Sequence, residues 1–314
     1  MVRDKDSGTV KILDDVVFVF LAYKQEKYLP YSLPSAINQT CYPSVLIVMD
    51  DASPDNSDQL IIDIVSKAPP ELNIEYSHNT ENVGLVGQLN KLVGRFKNKL
   101  IVLQAGDDES YPNRLEETYE AWINNGKPSL VLANYDCIDA DGELIERFNP
   151  ESASTKPYSI KRIINRRSVV YGCCAAIDSE LFNFYGPISN GIINEDRVNA
   201  FRAYFQKGIF YLNRPLLKYR SEVGISAFTT STPEEHSNKI SVEATRELLD
   251  IDNHLLDLNK VDGKAAKQLL LKRKKNVKWL AQVRPTLGFI DVLKAIVQGV
   301  NFSVVLKAYK KIKR

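Results

Sequence analysis

No stretch of this 314-residue chain holds about 20 consecutive apolar residues, so nothing in it reads as a membrane-spanning helix. Cysteine is scarce: Cys41, Cys137, Cys173 and Cys174 form neither a CxxC pair nor a Cys/His metal spacing. Adjacent Cys173 and Cys174 make a poor disulfide, which favours a reducing compartment. The opening residues, Met1 to Asp6, lack the apolar core of a signal segment, and the expectation is a cytosolic protein. The histidines His78, His236 and His254 lie outside every signature described below. Internal repeats and low-complexity tracts are missing. So are known nucleic-acid modules and aromatic-interleaved basic sheets, and nucleic acid is not an expected partner.

What is present is ordinary in amount, 44% hydrophobic and 25% charged, as in soluble globular proteins. The length calls for one large domain with an appendage, or two domains. The net charge of +2 conceals a strong polarity. Residues 264–314 carry 14 Lys or Arg against the single acid Asp291, which leaves 27 basic and 38 acidic residues in the remainder. A basic tail on an acidic body points to an anionic surface as its partner.

Two apolar runs, Val45-Leu46-Ile47-Val48 and Leu100-Ile101-Val102-Leu103, each lead into a carboxylate pair, Asp50-Asp51 and Asp107-Asp108. Such runs read as strands buried on both faces of a parallel sheet, and ligands bind outside the carboxyl ends of those strands. Two Asp pairs there point to a divalent cation and the nucleotide diphosphate it neutralises. A first strand is expected at Val16–Leu21, followed by a helix through Leu29, Leu33 and Ile37. Ser53 to Ser57 forms a turn able to cap a helix through Leu60, Ile61, Ile64 and Val65. A short strand at Asn73–Tyr76, a helix around Leu89, Leu92 and Val93, and the strand ending at Leu103 complete a doubly wound α/β pattern.

Farther along, a helix is expected from Pro112 to about Asn124, then a strand at Leu130–Ala133 and a hairpin turn at Asp139–Glu143. Residues 151–168 read as irregular, and Val169–Ile177 as a tight strand or turn. Asn194-Glu195-Asp196 opens a helix. Ile209–Leu212 and Leu216–Tyr219 read as two separate strands. Thr232-Pro233-Glu234-Glu235 starts another helix with proline at its first position, and the tail beyond reads as two more.

These pieces, in this order, resemble the family-2 glycosyltransferases of the GT-A fold over residues 14–225. Phe18 to Leu29 stands where that family has its opening strand and Pro-x-Tyr-Asn loop, with Leu21 and Lys24 replacing the Pro and Asn. Ile37-Asn38-Gln39-Thr40, then Val48 to Ser57, is close to its Asn-Gln-Thr and Val-Asp-Asp-Gly-Ser run. Asn82-Val83-Gly84-Leu85 with Asn90 resembles its Asn-x-Gly-Leu segment. Asp107-Asp108 with Pro112-Asn113-Arg114-Leu115 resembles its metal-binding turn, although Ala105 stands at the first acid of the Asp-x-Asp pattern.

The resemblance implies an α/β domain of GT-A type at 14–228, a mostly parallel sheet flanked by helices. A tail at 1–13 precedes it and a helical, basic C-terminal region at 229–314 follows. It implies an inverting transfer of sugar from a nucleotide-diphosphate sugar to a glycan or lipid-linked acceptor, in surface polysaccharide synthesis, with Mg²⁺ or Mn²⁺ as cofactor. Asp107 and Asp108 would hold the cation, and Asp51 with neighbouring Asp50 would meet the base. Ala22, Tyr23, Glu26, Asn82, Gly84, Asn90, Asp107 and Arg220 would complete the donor site. Asp196, with Glu195 as fallback and Arg202 following, would deprotonate the acceptor. Arg220 could equally pair with an internal acid, and Glu222 stands where the family commonly has His. Gly172 to Ala175 falls where the family shapes its acceptor site, or is packing.

The amphipathic, lysine-rich 264–314 segment would either rest on the inner face of a membrane or pack on the acidic body. A sugar nucleotidyltransferase is the rival enzyme, disfavoured because Ala22-Tyr23-Lys24-Gln25 is not a Gly-rich phosphate loop. A degenerate scaffold, prompted by Ala105, Glu222 and the loop Pro replaced by Leu21, is the non-enzymatic rival.

Overall fold

The computed structural model describes residues 10–148, 158–168, 170–221, 223, 232–283, 286–287 and 289–312. The chain divides into two compact units. The first comprises 1–158, 169–190 and 202–227; the second comprises 159–168, 191–201 and 228–314. The second unit thus takes in two segments from the middle of the sequence as well as the C-terminal region.

The first unit is built on β1 (Ile12–Ala22), α1 (Leu29–Ile37), β2 (Tyr42–Asp50), α2 (Ser57–Val65), β3 (Ile74–His78), α3 (Gly84–Asn90) and β4 (Leu100–Ala105). Strands β3, β2, β1 and β4 lie side by side and parallel. Their continuous Val/Ile/Leu/Phe character follows from burial on both faces: Val16 to Phe20 have no exposed surface. The short β5 (Glu109–Ser110) and α4 (Arg114–Asn124) come next, with the helix where the sequence places it.

Beyond β4 the sheet is mixed. It continues through β8 (Ala175–Asp178), β6 (Leu130–Ile138) and β9 (Ile209–Arg220) to β5, with β7 (Leu144–Glu146) paired to β6. β8 runs antiparallel to both neighbours, whereas β6 and β9 are parallel. The two strands expected around Pro215 are one strand, β9. Proline lacks the N–H a ladder needs, and the β6–β9 register shifts beside the Asn134–Pro215 pair, so a bulge absorbs it without a break. The small run at 172–176 is a single 3₁₀ turn (Gly172–Cys174) leading into β8, whose Ala175 and Ala176 are buried as packing. Helix α6 (Ser179–Tyr185) closes this part.

The second unit contains α5 (Ile160–Ile164), capped by Ser159, where the sequence reads as irregular. Helix α7 (Glu195–Tyr204) belongs to it through Phe201. Helix α8 (Pro233–Asp257) opens on a capping box: Thr232 Oγ1 accepts from Glu235 N, and the Glu235 carboxylate accepts from Thr232 N. The tail holds three helices rather than two: α9 (Lys264–Leu280), α10 (Phe289–Val297) and α11 (Phe302–Ile312). Gly299, at φ +76°, ends α10, and Val300 N reaches back to Ala295 O at 3.0 Å, a glycine C-cap that an apolar stripe alone does not reveal. No helix among the described residues is long and apolar enough to cross a membrane.

Phe18, fully buried in β1, packs in the cluster that joins α1, α4 and the central strands. Phe18→Ala is expected to destabilise the first unit by about 3–5 kcal/mol. Thr232→Ala, which removes one cap bond, is expected to cost the second unit about 1 kcal/mol. Equilibrium urea unfolding checks both.

Candidate functional site

The carboxyl ends of β1, β2 and β4 are level. Ala22 pairs with Asp50 and Leu21 with Ala105 in register, while Asp51 N donates to Ala22 O at 3.0 Å and Gly106 N to Leu21 O at 2.8 Å. This edge therefore gathers Ala22–Glu26, Asp50–Asp51 and Ala105–Asp108.

Asp50 is enclosed. Its carboxylate accepts from Ser53 N and Oγ at 3.0 and 2.5 Å and meets His78 Nδ1 at 2.8 Å. It shapes the turn after β2, in which Ala52 adopts φ +55°. Asp51 is equally buried and holds the next loop: its Oδ1 accepts from Asn79 Nδ2 at 2.7 Å and Val83 N at 2.9 Å, its Oδ2 from Gly84 N at 2.7 Å. Asn82 Oδ1 also accepts from Gly84 N, and Gly84 sits at φ +73°, where a side chain is strained. Asn90 uses both ends of its amide on Ile188, donating to its carbonyl at 2.9 Å and accepting from its N–H at 2.8 Å. In this structure Asp51, Asn82 and Asn90 order the loop that borders the edge.

The loop after β1 is fastened to the loop after β2. Lys24 N donates to Ser53 Oγ, Gln25 N to Ser57 Oγ and Glu26 N to Asp55, while the Glu26 carboxylate accepts from Asn56 N at 2.8 Å. Tyr23 stays exposed, its N–H donating to Gln25 Oε1.

The acidic turn is the most strongly built part. Arg220, at the end of β9 and 2% exposed, donates from Nε to Asp107 O at 3.0 Å, from one terminal nitrogen to Asp139 O at 2.8 Å and from the other to Glu109 Oε1 at 2.9 Å. Its guanidinium lies 4.9 Å from the Tyr28 ring centroid. Its backbone N–H donates to Asp108 Oδ1 at 3.0 Å. The internal acid pairing open in the sequence is thus Glu109. Glu222 lies outside the described residues.

Asp108 Oδ2 is buried and has no hydrogen-bond partner among the described residues. Burial pushes the Asp108 carboxyl well above the usual carboxylate range, and adjacent Asp107 pushes it further. Asp107 is raised by burial too, opposed by Arg220 and by a hydrogen bond from Gln25. Two adjacent carboxyls that resist ionisation, one with an unused oxygen, fit a hard divalent cation, which takes one or two carboxylates and completes its shell from phosphates and water. Among the described residues no group of three or more His, Cys, Asp or Glu side chains could cage a metal.

Sequence reasoning missed the supports of this turn. Gln104, fully buried in β4, donates to Ser32 O and Asp108 O and accepts from Ser110 Oγ. A buried amide closing an apolar run was the available signal. Buried Arg114 holds Ser110 Oγ, Leu103 O and Cys173 O. A Cβ on Gly106 would press on the Gln25 amide and lie 3.3 Å from Leu21 O, so the Gln25 side chain would have to give way.

In the second unit Glu195 and Asp196 open α7. Burial and the neighbouring Asp196 push Glu195 up to about 8. Asp196 is also raised by burial, but Arg197 and Arg166 offset the rise, and its Oδ1 accepts from Arg197 N at 2.7 Å. Arg166 pairs with Asp250, which also accepts from Asn194 Nδ2 at 2.9 Å. Acids at 247 and 250 on the buried stripe of α8 were the sequence signal for this network. In the first unit Arg202 donates to Gly186 O at 3.0 Å and Pro187 O at 3.3 Å and stacks on Tyr185.

The model of glycosyl transferase family 2 matches residues 17–186, more than half of the chain. The chain belongs to that family. It is 28% identical over 158 residues to an uncharacterized glycosyltransferase of Methanocaldococcus jannaschii, a match over 50% of this chain and 51% of that protein, so it spans about half the length of that relative. Its fold resembles Staphylococcus aureus TarS residues 1–349 in complex with UDP-GlcNAc, with TM-score 0.59 and 15% identity over 95% of this chain and 88% of that one. It also resembles the mannosyltransferase PcManGT of Pyrobaculum calidifontis in complex with GDP-Man and Mn²⁺, with TM-score 0.53 and 15% identity over 94% and 79%. A mixed sheet of this kind flanked by helices, with a helical C-terminal region, is the GT-A-like architecture expected from the sequence.

Raised folded-state values for Asp107 and Asp108 mean that the folded chain binds more protons than the unfolded chain above the ordinary carboxylate range. Stability from this turn therefore falls as pH rises through the folded values. A cation that replaces those protons should stabilise more as pH rises. The thermal shift produced by Mg²⁺ or Mn²⁺ is expected to be small near pH 5 and larger near pH 8. Asp108→Asn should abolish the shift while raising cation-free stability near pH 8. Differential scanning fluorimetry measures both, and a shift equal at the two pH values contradicts the cation reading.

Proposed function

We propose that this chain transfers a sugar from a nucleotide-diphosphate sugar to an acceptor hydroxyl with inversion, using a divalent cation at Asp107 and Asp108. The observation that carries the reading is the Asp107-Asp108 turn at the strand ends, half-buried at Asp107 and buried at Asp108, held by Arg220, with Asp108 Oδ2 unpartnered. Mg²⁺ or Mn²⁺ bound there would neutralise the donor diphosphate and stabilise it as a leaving group. The UDP-GlcNAc and GDP-Man named for two structural neighbours, one of them with Mn²⁺, support a nucleotide-sugar donor.

The chain's own residues would divide the remaining work. The loop ordered by Asp51, together with Ala22 and Tyr23, would receive the base and ribose. Asp196 would take the acceptor proton as its oxygen attacks the anomeric carbon and the bond to the diphosphate breaks. The acid pair favours Asp196 over Glu195: the cations Arg197 and Arg166 favour its charge, while Glu195 at about 8 keeps its proton near neutrality. The acceptor class is a glycan or lipid-linked hydroxyl in polysaccharide assembly. The place of action is the cytoplasm, with the basic 264–314 segment resting on the inner face of the membrane.

Metal-dependent release of nucleoside diphosphate is expected to vanish in Asp107→Ala. Asp196→Asn should lower it by about 10²–10⁴-fold with donor affinity unchanged. In the unmodified chain turnover should rise with pH through the ionisation of Asp196, above the ordinary carboxylate range. Normal turnover in both variants overturns the assignment, and donor binding without any turnover in the unmodified chain would mark a scaffold instead.

A further inference from the structure

The second unit contains a cavity of about 480 Å³ that the transfer chemistry does not use. Its apolar wall includes Ile240, Leu280 and Val304, and its polar wall combines α11 with the end of the α5 segment. Three cations on the lining, Arg167, Lys307 and Lys311, are exposed, and none of them is engaged by a described acid. The other two, Arg166 and Arg273, are already neutralised. Arg273 forms a two-pronged pair with Glu247 at 2.6 and 2.9 Å, and Arg166 meets Glu247 and Asp250. Exposed Glu243 is the one acid on the lining outside those pairs. The cavity thus offers uncompensated positive charge beside an apolar wall, which suits a phosphate carried on an apolar stem.

The surface next to it decides between a free anion and a lipid. On α11 the exposed Phe302 and Leu306 precede cavity residues Ser303 and Lys307 by one position each, and so form the adjoining ridge. On α10, which packs against α11 through Ala295 and Val305 and contributes no residue to the cavity lining, Leu293, Ile296 and Val297 are exposed as well, Val297 at 88%. A water-soluble phosphate has no use for such a ridge, whereas a bilayer interface buries it and adds attraction for the surrounding lysines.

We propose that the second unit carries a headgroup site for an anionic membrane lipid, its phosphate seated among Arg167, Lys307 and Lys311 and the α10–α11 ridge entering the interface. This rests on the membrane-contact part of the reading above and is independent of the transfer chemistry. A bare attraction of basic tail for acidic membrane depends on net charge alone. A site depends on which charges are removed.

The test is vesicle flotation of the full chain at about 0.15 M salt, with phosphatidylcholine alone and with phosphatidic acid added. The triple variant R167Q/K307Q/K311Q is compared with K275Q/K294Q/K310Q, which removes as much charge from exposed lysines of α9, α10 and α11 outside the cavity. Phosphatidic acid vesicles should bind the unmodified chain. The cavity triple should lose about tenfold in binding and the control triple about twofold, while K307R/K311R keeps it. Thermal melting of each variant verifies the fold. Equal losses in the two triples overturn the site but leave general membrane contact standing. No flotation of the unmodified chain overturns both. Inorganic phosphate that stabilises the unmodified chain, but not the cavity triple, in the absence of phosphatidic acid binding would make the ligand a soluble anion and overturn the lipid assignment.

Discussion

The buried guanidinium of Arg220 is the contact on which the candidate donor site depends. Burying an arginine is tolerable only when its donors are met, and here Asp107 O, Asp139 O and Glu109 meet them while Tyr28 covers its face. One residue at the end of β9 therefore ties together the acidic turn, the β6–β7 hairpin and the start of α1. Its backbone N–H also fixes one oxygen of Asp108, which leaves the other unpartnered. The fixed geometry matters because a cation site gains from carboxylates that need no reorganisation when the ion arrives.

Around that turn the first unit separates residues that hold from residues left free to bind. Asp50, Asp51, Glu26 and Asn90 all engage protein groups, fastening the loops after β1 and β2 and the loop before α3. Asp108, by contrast, keeps an unused oxygen, and Tyr23 remains exposed. The second unit uses its charges in a related way. Arg166, Glu247, Asp250 and Arg273 neutralise one another beside Asp196, while Arg167, Lys307 and Lys311 do not take part.

The central strands were legible in the sequence because parallel strands buried on both faces must be apolar throughout, as Val16–Leu21 and Leu100–Leu103 are. The α4 helix and the Thr232 cap were legible because local chemistry specifies them. The order of strands beyond β4 was not, since long-range pairing leaves no local trace, and neither was the continuity of β9 through Pro215. The tail read as two helices because the positive φ of Gly299 is a conformational fact that an apolar stripe does not encode. At the site, the residue types marked the turn, but the partners of Arg220, the contact of Gln104 with Ser32 and that of Arg114 with Cys173 arise only when elements distant in sequence meet.

In the proposed function, nucleotide binding depends on a cation held at the Asp107-Asp108 turn. Isothermal titration of UDP and of GDP, with and without Mn²⁺, tests it most directly. Mn²⁺ is expected to tighten binding of at least one of them by about tenfold or more, and Asp107→Ala to lose this gain while keeping the weak cation-free binding. Equal affinity with and without Mn²⁺ in the unmodified chain, or an undiminished gain in Asp107→Ala, would contradict it.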